Sequence, residues 1–217
     1  MNILSHRGYW LNSDEKNTYA SFKRSFQTGF GSEIDIRDYK SRLVVSHDIP
    51  TENSLSLETL LKLYKEFSHS PLTLAFNIKS DGIEGLLESL LRTFQISNCF
   101  VFDMSIPTAF RFYHQHNISF ATRHSDIEKE PILYEEASWV WMDELEKRWI
   151  DNSMIEKHVR NGKKIGLVSP ELHGRVHITA WNEYKNLPND ISEQVFICTD
   201  FPKEANEFFN LIKVSRD

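Results

Sequence analysis

Between His6 and Lys79 the sequence gathers the side chains best suited to moving protons and holding negative charge. His6 is followed by Arg7 and Gly8, Glu33 and Asp35 stand two residues apart, and His47 precedes Asp48. Asn77 and Lys79 repeat the two-residue spacing. An imidazole titrates near neutrality, so His6 and His47 are a candidate general acid and base. A guanidinium can grip an oxyanion such as phosphate through two parallel hydrogen bonds, a role open to Arg7, with Lys79 as a second positive charge. Ion pairing of these two cations to Glu33 or Asp48 is the competing reading.

Residues two apart on a strand face the same side. If Glu33 and Asp35 point inward, two acids in an apolar strand are costly unless a cation neutralises them. All-oxygen ligation of this kind suits Mg²⁺ or Ca²⁺ better than zinc. If Ile34 and Ile36 are the buried pair, the acids line a solvated face, and alternation alone does not separate the two arrangements. Further polar groups recur at the ends of apolar segments. Asp48, His124, Asp143, Glu171, His173, Trp181 and Asp200 are candidates for a pocket wall or for support behind the site.

Such groups need a scaffold that brings strand ends together. Short apolar segments at residues 2–5, 32–37, 43–46, 72–78, 99–102, 118–122, 138–142, 164–168 and 194–198 read as strands. The segment 43–46 reads as a companion strand or an extended loop. Helical patterns separate them. One runs from Asn17 or Thr18 to Gly29 and one starts at Ser56; others cover 82–94, 107–114, 151–160, 180–184 and 203–212. A further helix is expected between the strands at 118–122 and 138–142. This gives about eight strand–helix units, with no linker or composition shift, and predicts one α/β domain over 1–217. Eight units point to closure as a (β/α)8 TIM barrel rather than an open doubly wound sheet. In such a barrel, functional groups collect at the C-terminal ends of the strands, where most of these residues fall.

Bulk properties narrow the partners. Hydrophobic residues make up 40% of the 217 and charged residues 26%, a balance that can bury a core. A formal charge of -6 argues against a nucleic-acid partner but permits a small phosphorylated substrate held by local cations. Cys99 and Cys198 lack any CxxC pairing and read as two buried thiols, which fits a reducing, cytoplasmic setting. No apolar stretch is long enough to span a bilayer, and no basic and apolar leader precedes His6, so neither a transmembrane segment nor a signal peptide is expected.

Taken together, these motifs resemble the glycerophosphodiester phosphodiesterases, a branch of the TIM-barrel phosphodiesterases that includes phosphatidylinositol-specific phospholipase C. The matching pieces are His6-Arg7-Gly8, Asn17-Thr18 with Phe22 and Gly29, Glu33-Ile34-Asp35-Ile36, and Val44-Val45-Ser46-His47-Asp48. Asn77-Ile78-Lys79 and Thr199-Asp200-Phe201-Pro202 follow in the family's order. The resemblance implies a phospholipase-C-like (β/α)8 barrel that hydrolyses a phosphodiester with a divalent cation, Mg²⁺ or Ca²⁺. It implies His6 and His47 as the proton-transfer pair, Glu33, Asp35 and Asn77 around the metal, and Arg7 and Lys79 at the phosphate. Two departures stand out. Asn77 occupies a position where the family usually has a third acid, and the span from Asp48 to Leu72 lacks the family's inserted region. They leave open a barrel that only binds a phospho-ligand, and a phospholipase-D-like lyase that forms a cyclic phosphate.

Overall fold

The computed structural model describes residues 1–116 and 118–210, so the expected end of the last helix at 212 lies outside the described residues. The chain divides into two compact units, one formed by residues 5–120 and the other by 1–4 with the chain from 121 onward.

Strand β1 (Asn2–His6) begins among residues 1–4 of the second unit; the first unit takes over at Ser5 and continues through a turn into helix α1 (Tyr19–Thr28) and strand β2 (Gly31–Tyr39). Thr18 caps α1 by accepting from the Ser21 amide, and Gly29 closes it in the left-handed conformation at φ 86°. Strand β3 (Arg42–Val45) returns antiparallel to the second half of β2, pairing Ile36 with Val45 and Tyr39 with Arg42. The segment is therefore a companion strand rather than a loop. After β4 (Leu55–Ser56) and α2 (Leu57–Phe67), strand β5 (Leu74–Ile78) pairs parallel to the first half of β2. Helix α3 (Glu84–Thr93) then leads to β6 (Cys99–Phe102), parallel to β5, and α4 (Ile106–Gln115) completes the unit. Phe22 and Phe26 of α1, Leu57, Leu60 and Leu61 of α2, and Phe76 and Phe100 of the sheet are fully or almost fully buried.

The second unit carries β7 (Ala121–Ser125), β8 (Trp139–Asp143), α5 (Asn152–Arg160) and β9 (Lys164–Val168). Helices α6 (Ile178–Tyr184) and α7 (Asn189–Ser192), strand β10 (Val195–Thr199) and helix α8 (Pro202–Asn210) follow. Strands β7, β8, β9 and β10 pair in that order, all parallel. Val140, Ile155, Ile165, Leu167, Trp181 and Ile197 form its core.

The helix expected between β7 and β8 is absent, and residues 126–137 run as turns. Pro131 pushes the residue before it away from helical geometry, and Leu133 takes φ 56°, outside the right-handed region. Lys163 instead holds this segment by donating to the carbonyls of Glu135 and Ala137. Among the described residues no helix is long and apolar enough to cross a membrane.

Candidate active site

The first six residues of β2 are buried, as expected of a strand covered on both faces, and this removes the solvated-face alternative. Glu33 is 2% exposed and Asp35 is 0% exposed, while Ile34 and Ile36 on the opposite face are equally buried. Backbone hydrogen bonds set the surrounding groups in place. Asp35 and Asn77 are register partners on β2 and β5, and the Lys79 amide continues the ladder by donating to the Ile36 carbonyl at 3.0 Å. The Ser46 amide donates to the Asp35 carbonyl at 3.1 Å, which pins the segment that carries His47. His6 ends β1, and its carbonyl accepts from the Trp10 indole at 3.1 Å.

Asp35 is the hub. Arg7 Nε lies 3.0 Å from its Oδ2 and Lys79 Nζ 3.5 Å from its Oδ1. The competing expectation of pairing to Glu33 or Asp48 gives way to pairing with Asp35. Arg7 reaches Glu33 through its backbone, whose amide donates to Oε2 at 3.2 Å. Burial, and then the charge of Asp35 beside it, push the Glu33 carboxyl above the usual carboxylate range, against the opposing pull of Arg7, Lys79 and the Asn77 amide. Two buried acids side by side are thus only partly neutralised by protein cations. Arg7 takes φ 58° and Asn17 φ 60°, a left-handed conformation uncommon outside glycine and gathered here around one carboxylate.

Beside this cluster opens a cleft of about 510 Å³, lined by Arg7, Asn17, His47 and Asp48 together with Lys16 and Tyr19. His47 Nδ1 and Asp48 Oδ1 are 2.9 Å apart. That contact orients the ring, and it holds the Asp48 carboxyl below its ordinary range. His47 is 44% exposed at its side chain, as a group that exchanges protons with a ligand should be.

His124, Asp143, Glu171 and Trp181 belong to the other unit, where each has its own partners. Asp143 pairs with His173 Nε2 at 2.7 Å. Glu171 accepts from the hydroxyls of Ser169 and Thr199 and, at 3.1 Å, from the Asp200 amide. Trp181 is fully buried and donates to Ser169 Oγ at 2.8 Å, so it packs behind Glu171. His124 Nδ1 lies 2.9 Å from His158 Nε2, and His158 Nδ1 lies 2.8 Å from the Tyr134 hydroxyl.

This last chain has a pH consequence. Burial, then His124, Lys157 and Lys163, hold His158 down at about 4, against 6.5 for an ordinary histidine. The unfolded chain takes up the proton first, so this contribution to stability is whole above about pH 6.5 and is lost as the pH falls towards 4. His158→Gln should flatten the fall of the urea midpoint between pH 6.5 and 4, measured at intervals across that range. An unchanged slope would remove His158 from the acid response.

Asn17 is the site residue that motif reading did not assign a role. Its Nδ2 donates to Asp35 Oδ2 at 2.9 Å and its backbone amide donates to the Arg7 carbonyl at 2.9 Å. Its sequence signal was modest: an asparagine directly before the α1 cap, in a type of position that often adopts the left-handed conformation.

No family model and no curated protein matches the sequence. Solved structures do match. A glycerophosphodiester phosphodiesterase from Parabacteroides distasonis superposes with a TM-score of 0.70 at 17% identity, covering 97% of each chain. A phosphodiesterase from Oleispira antarctica, in complex with the product sn-glycerol-3-phosphate, gives 0.67 at 13% identity, also over 97% of each. A Ca²⁺-dependent phosphatidylinositol-specific phospholipase C from Streptomyces antibioticus gives 0.60 at 10% identity over 96% of each. The likeness is one of fold: this chain shares the (β/α)8-barrel fold of these structures.

Proposed function

We propose that the chain is a divalent-metal-dependent phosphodiester hydrolase that acts on small substrates of the glycerophosphodiester class, with residues 1–217 as one catalytic barrel domain. The observation that carries this reading is the pair of buried carboxylates, Glu33 and Asp35, set among Arg7, Lys79 and Asn77 beside the cleft that His47 lines. The near-complete coverage of phosphodiesterase structures supports it.

The residues fit a hard cation. Asp35 Oδ1 and Asn77 Oδ1 are buried acceptors without a hydrogen-bond donor, and a buried oxygen left unpaired is costly. Among the described residues no three His, Cys, Asp or Glu side chains cluster as a metal site, and the third oxygen proposed here belongs to the Asn77 amide. Glu33, Asp35 and Asn77 would hold Mg²⁺ or Ca²⁺, with less charge than three acids would bring. Such an ion, when bound, supplies Lewis-acid stabilisation of the charge that develops on a phosphoryl oxygen.

The protein groups supply the rest. A guanidinium has five N–H donors. Arg7 directs Nε at Asp35, and its other donors are suited to a phosphoryl oxygen, with Lys79 adding positive charge. His47, oriented through Nδ1 by Asp48, presents Nε2 for proton transfer, and His6 at the end of β1 is the second member of the pair. One takes a proton from the attacking water, or from a neighbouring substrate hydroxyl, as its oxygen bonds to phosphorus. The other gives a proton to the alkoxide as its P–O bond breaks, and a cyclic phosphate formed by the hydroxyl route is then opened by water.

Turnover of a chromogenic phosphodiester with Mg²⁺, Ca²⁺ or Mn²⁺, abolished by EDTA, is the expected result, followed in parallel on glycerophosphodiesters by ³¹P NMR. Turnover that survives EDTA would overturn the metal dependence. A chain that binds phosphate but turns over neither substrate with any of the three ions would be a binding barrel.

A further inference from the structure

We propose that Asn17 is a positioning residue: its amide locks the Asp35 carboxylate so that Oδ1 is left for the divalent cation. The proposal rests on the reading of Asp35 as a metal ligand.

The two oxygens of Asp35 have different surroundings. Oδ2 receives the Asn17 amide at 2.9 Å and faces Arg7 Nε at 3.0 Å. Oδ1 is buried without a hydrogen bond, and its nearest cation, Lys79 Nζ, is at 3.5 Å. A carboxylate on a strand can rotate about its last torsion, and that rotation would exchange the two oxygens. The Asn17 hydrogen bond, with the Arg7 charge 3.0 Å from the same oxygen, suppresses it. The Asn17 amide is itself oriented by this contact, because the flipped form would set its oxygen against a carboxylate oxygen. In the observed orientation Asn17 Oδ1 is buried and has no donor, a cost accepted so that Nδ2 faces Asp35.

The backbone supports the same conclusion. Asn17 holds φ 60° immediately before the Thr18 cap of α1, and its amide donates to the Arg7 carbonyl. One residue therefore ties together the Arg7 turn, the start of α1 and the carboxylate of β2. Asparagine and glycine both tolerate this conformation, but only asparagine carries the donor.

The test uses Mn²⁺ binding to the full-length protein without substrate, followed by electron paramagnetic resonance, with melting temperatures recorded in EDTA. Asn17→Gly keeps the backbone conformation and removes the donor. It should remain folded in EDTA and bind Mn²⁺ roughly 10- to 100-fold more weakly, the usual cost of losing a group that orients a ligand. Asn17→Asp offers an acceptor in place of the donor and should bind no more tightly than Asn17→Gly. A purely structural role would lower the melting temperature and leave the Mn²⁺ affinity of the folded protein unchanged. Parent-like affinity in Asn17→Gly, while Asp35→Asn loses binding, would overturn this proposal alone. Tighter binding by Asn17→Asp would also overturn it, by making residue 17 a direct ligand. No Mn²⁺ binding by the parent protein would overturn the cation reading of the site, and this proposal with it.

Discussion

His47→Ala should lower kcat for phosphodiester hydrolysis by roughly 10²- to 10⁴-fold, the range that a positioned acid or base contributes, with a much smaller change in KM. The reason is geometric. His47 lines the cleft, and the contact of its Nδ1 with Asp48 at 2.9 Å leaves Nε2 as the nitrogen for proton transfer. Because nearly half of the side chain is exposed, its removal should leave the urea midpoint almost unchanged, so lost activity can be assigned to lost proton transfer. Asp48→Asn should cost less, since it disturbs the orientation of the ring and keeps the ring itself. Steady-state kinetics on a chromogenic phosphodiester, paired with urea unfolding, checks both variants. Parent-like kcat in His47→Ala would remove this residue from the reaction and leave His6 without its partner.

Gly8→Ala should destabilise the fold by about 2–5 kcal/mol, a sum of roughly 1–2 for an L side chain in the left-handed region and 1–3 for overpacking. Gly8 holds φ 85°. A Cβ placed there would lie 2.5 Å from Ser21 Oγ, 2.8 Å from Ser21 Cβ and 2.9 Å from the Ser21 carbonyl carbon. The hydroxyl can rotate away, but the backbone atom belongs to the first turn of α1 and cannot yield alone. Its displacement would carry along the Tyr9 amide, which donates to the Ser21 carbonyl at 3.0 Å, and the Arg7 turn beside it. Against a typical total stability of about 5–15 kcal/mol, such a loss is readily measured by urea unfolding. A shift below about 1 kcal/mol would mean that the Gly8 turn relaxes freely, and that its geometry is not what holds Arg7 against Asp35.

The strand–helix alternation was legible because apolar runs of strand length and helical periodicity are local signals, set by burial on one or both faces. The missed element, between β7 and β8, shows where local signals fail. The strand–helix alternation led to the expectation of a helix at residues 126–137, yet Pro131 and the left-handed Leu133 exclude one. That segment is held by Lys163, a partner distant in sequence.

The site divides in the same way. Residue types and two-residue spacings alone determined that Glu33 and Asp35 share a face, because side-chain direction along a strand has a fixed period, and they marked His6, Arg7, His47 and Lys79 as the candidates for proton transfer and phosphate binding. Which face was buried, and what each charge meets there, only the tertiary structure decided. Burial depends on the layers packed against β2, and these leave both of its faces dry. The pairing of Arg7 and Lys79 with Asp35, and the amide of Asn17 on that carboxylate, follow from turns and register that bring residues 7, 17, 35 and 79 together. No spacing records such contacts, because they exist only once separate segments of the chain have docked.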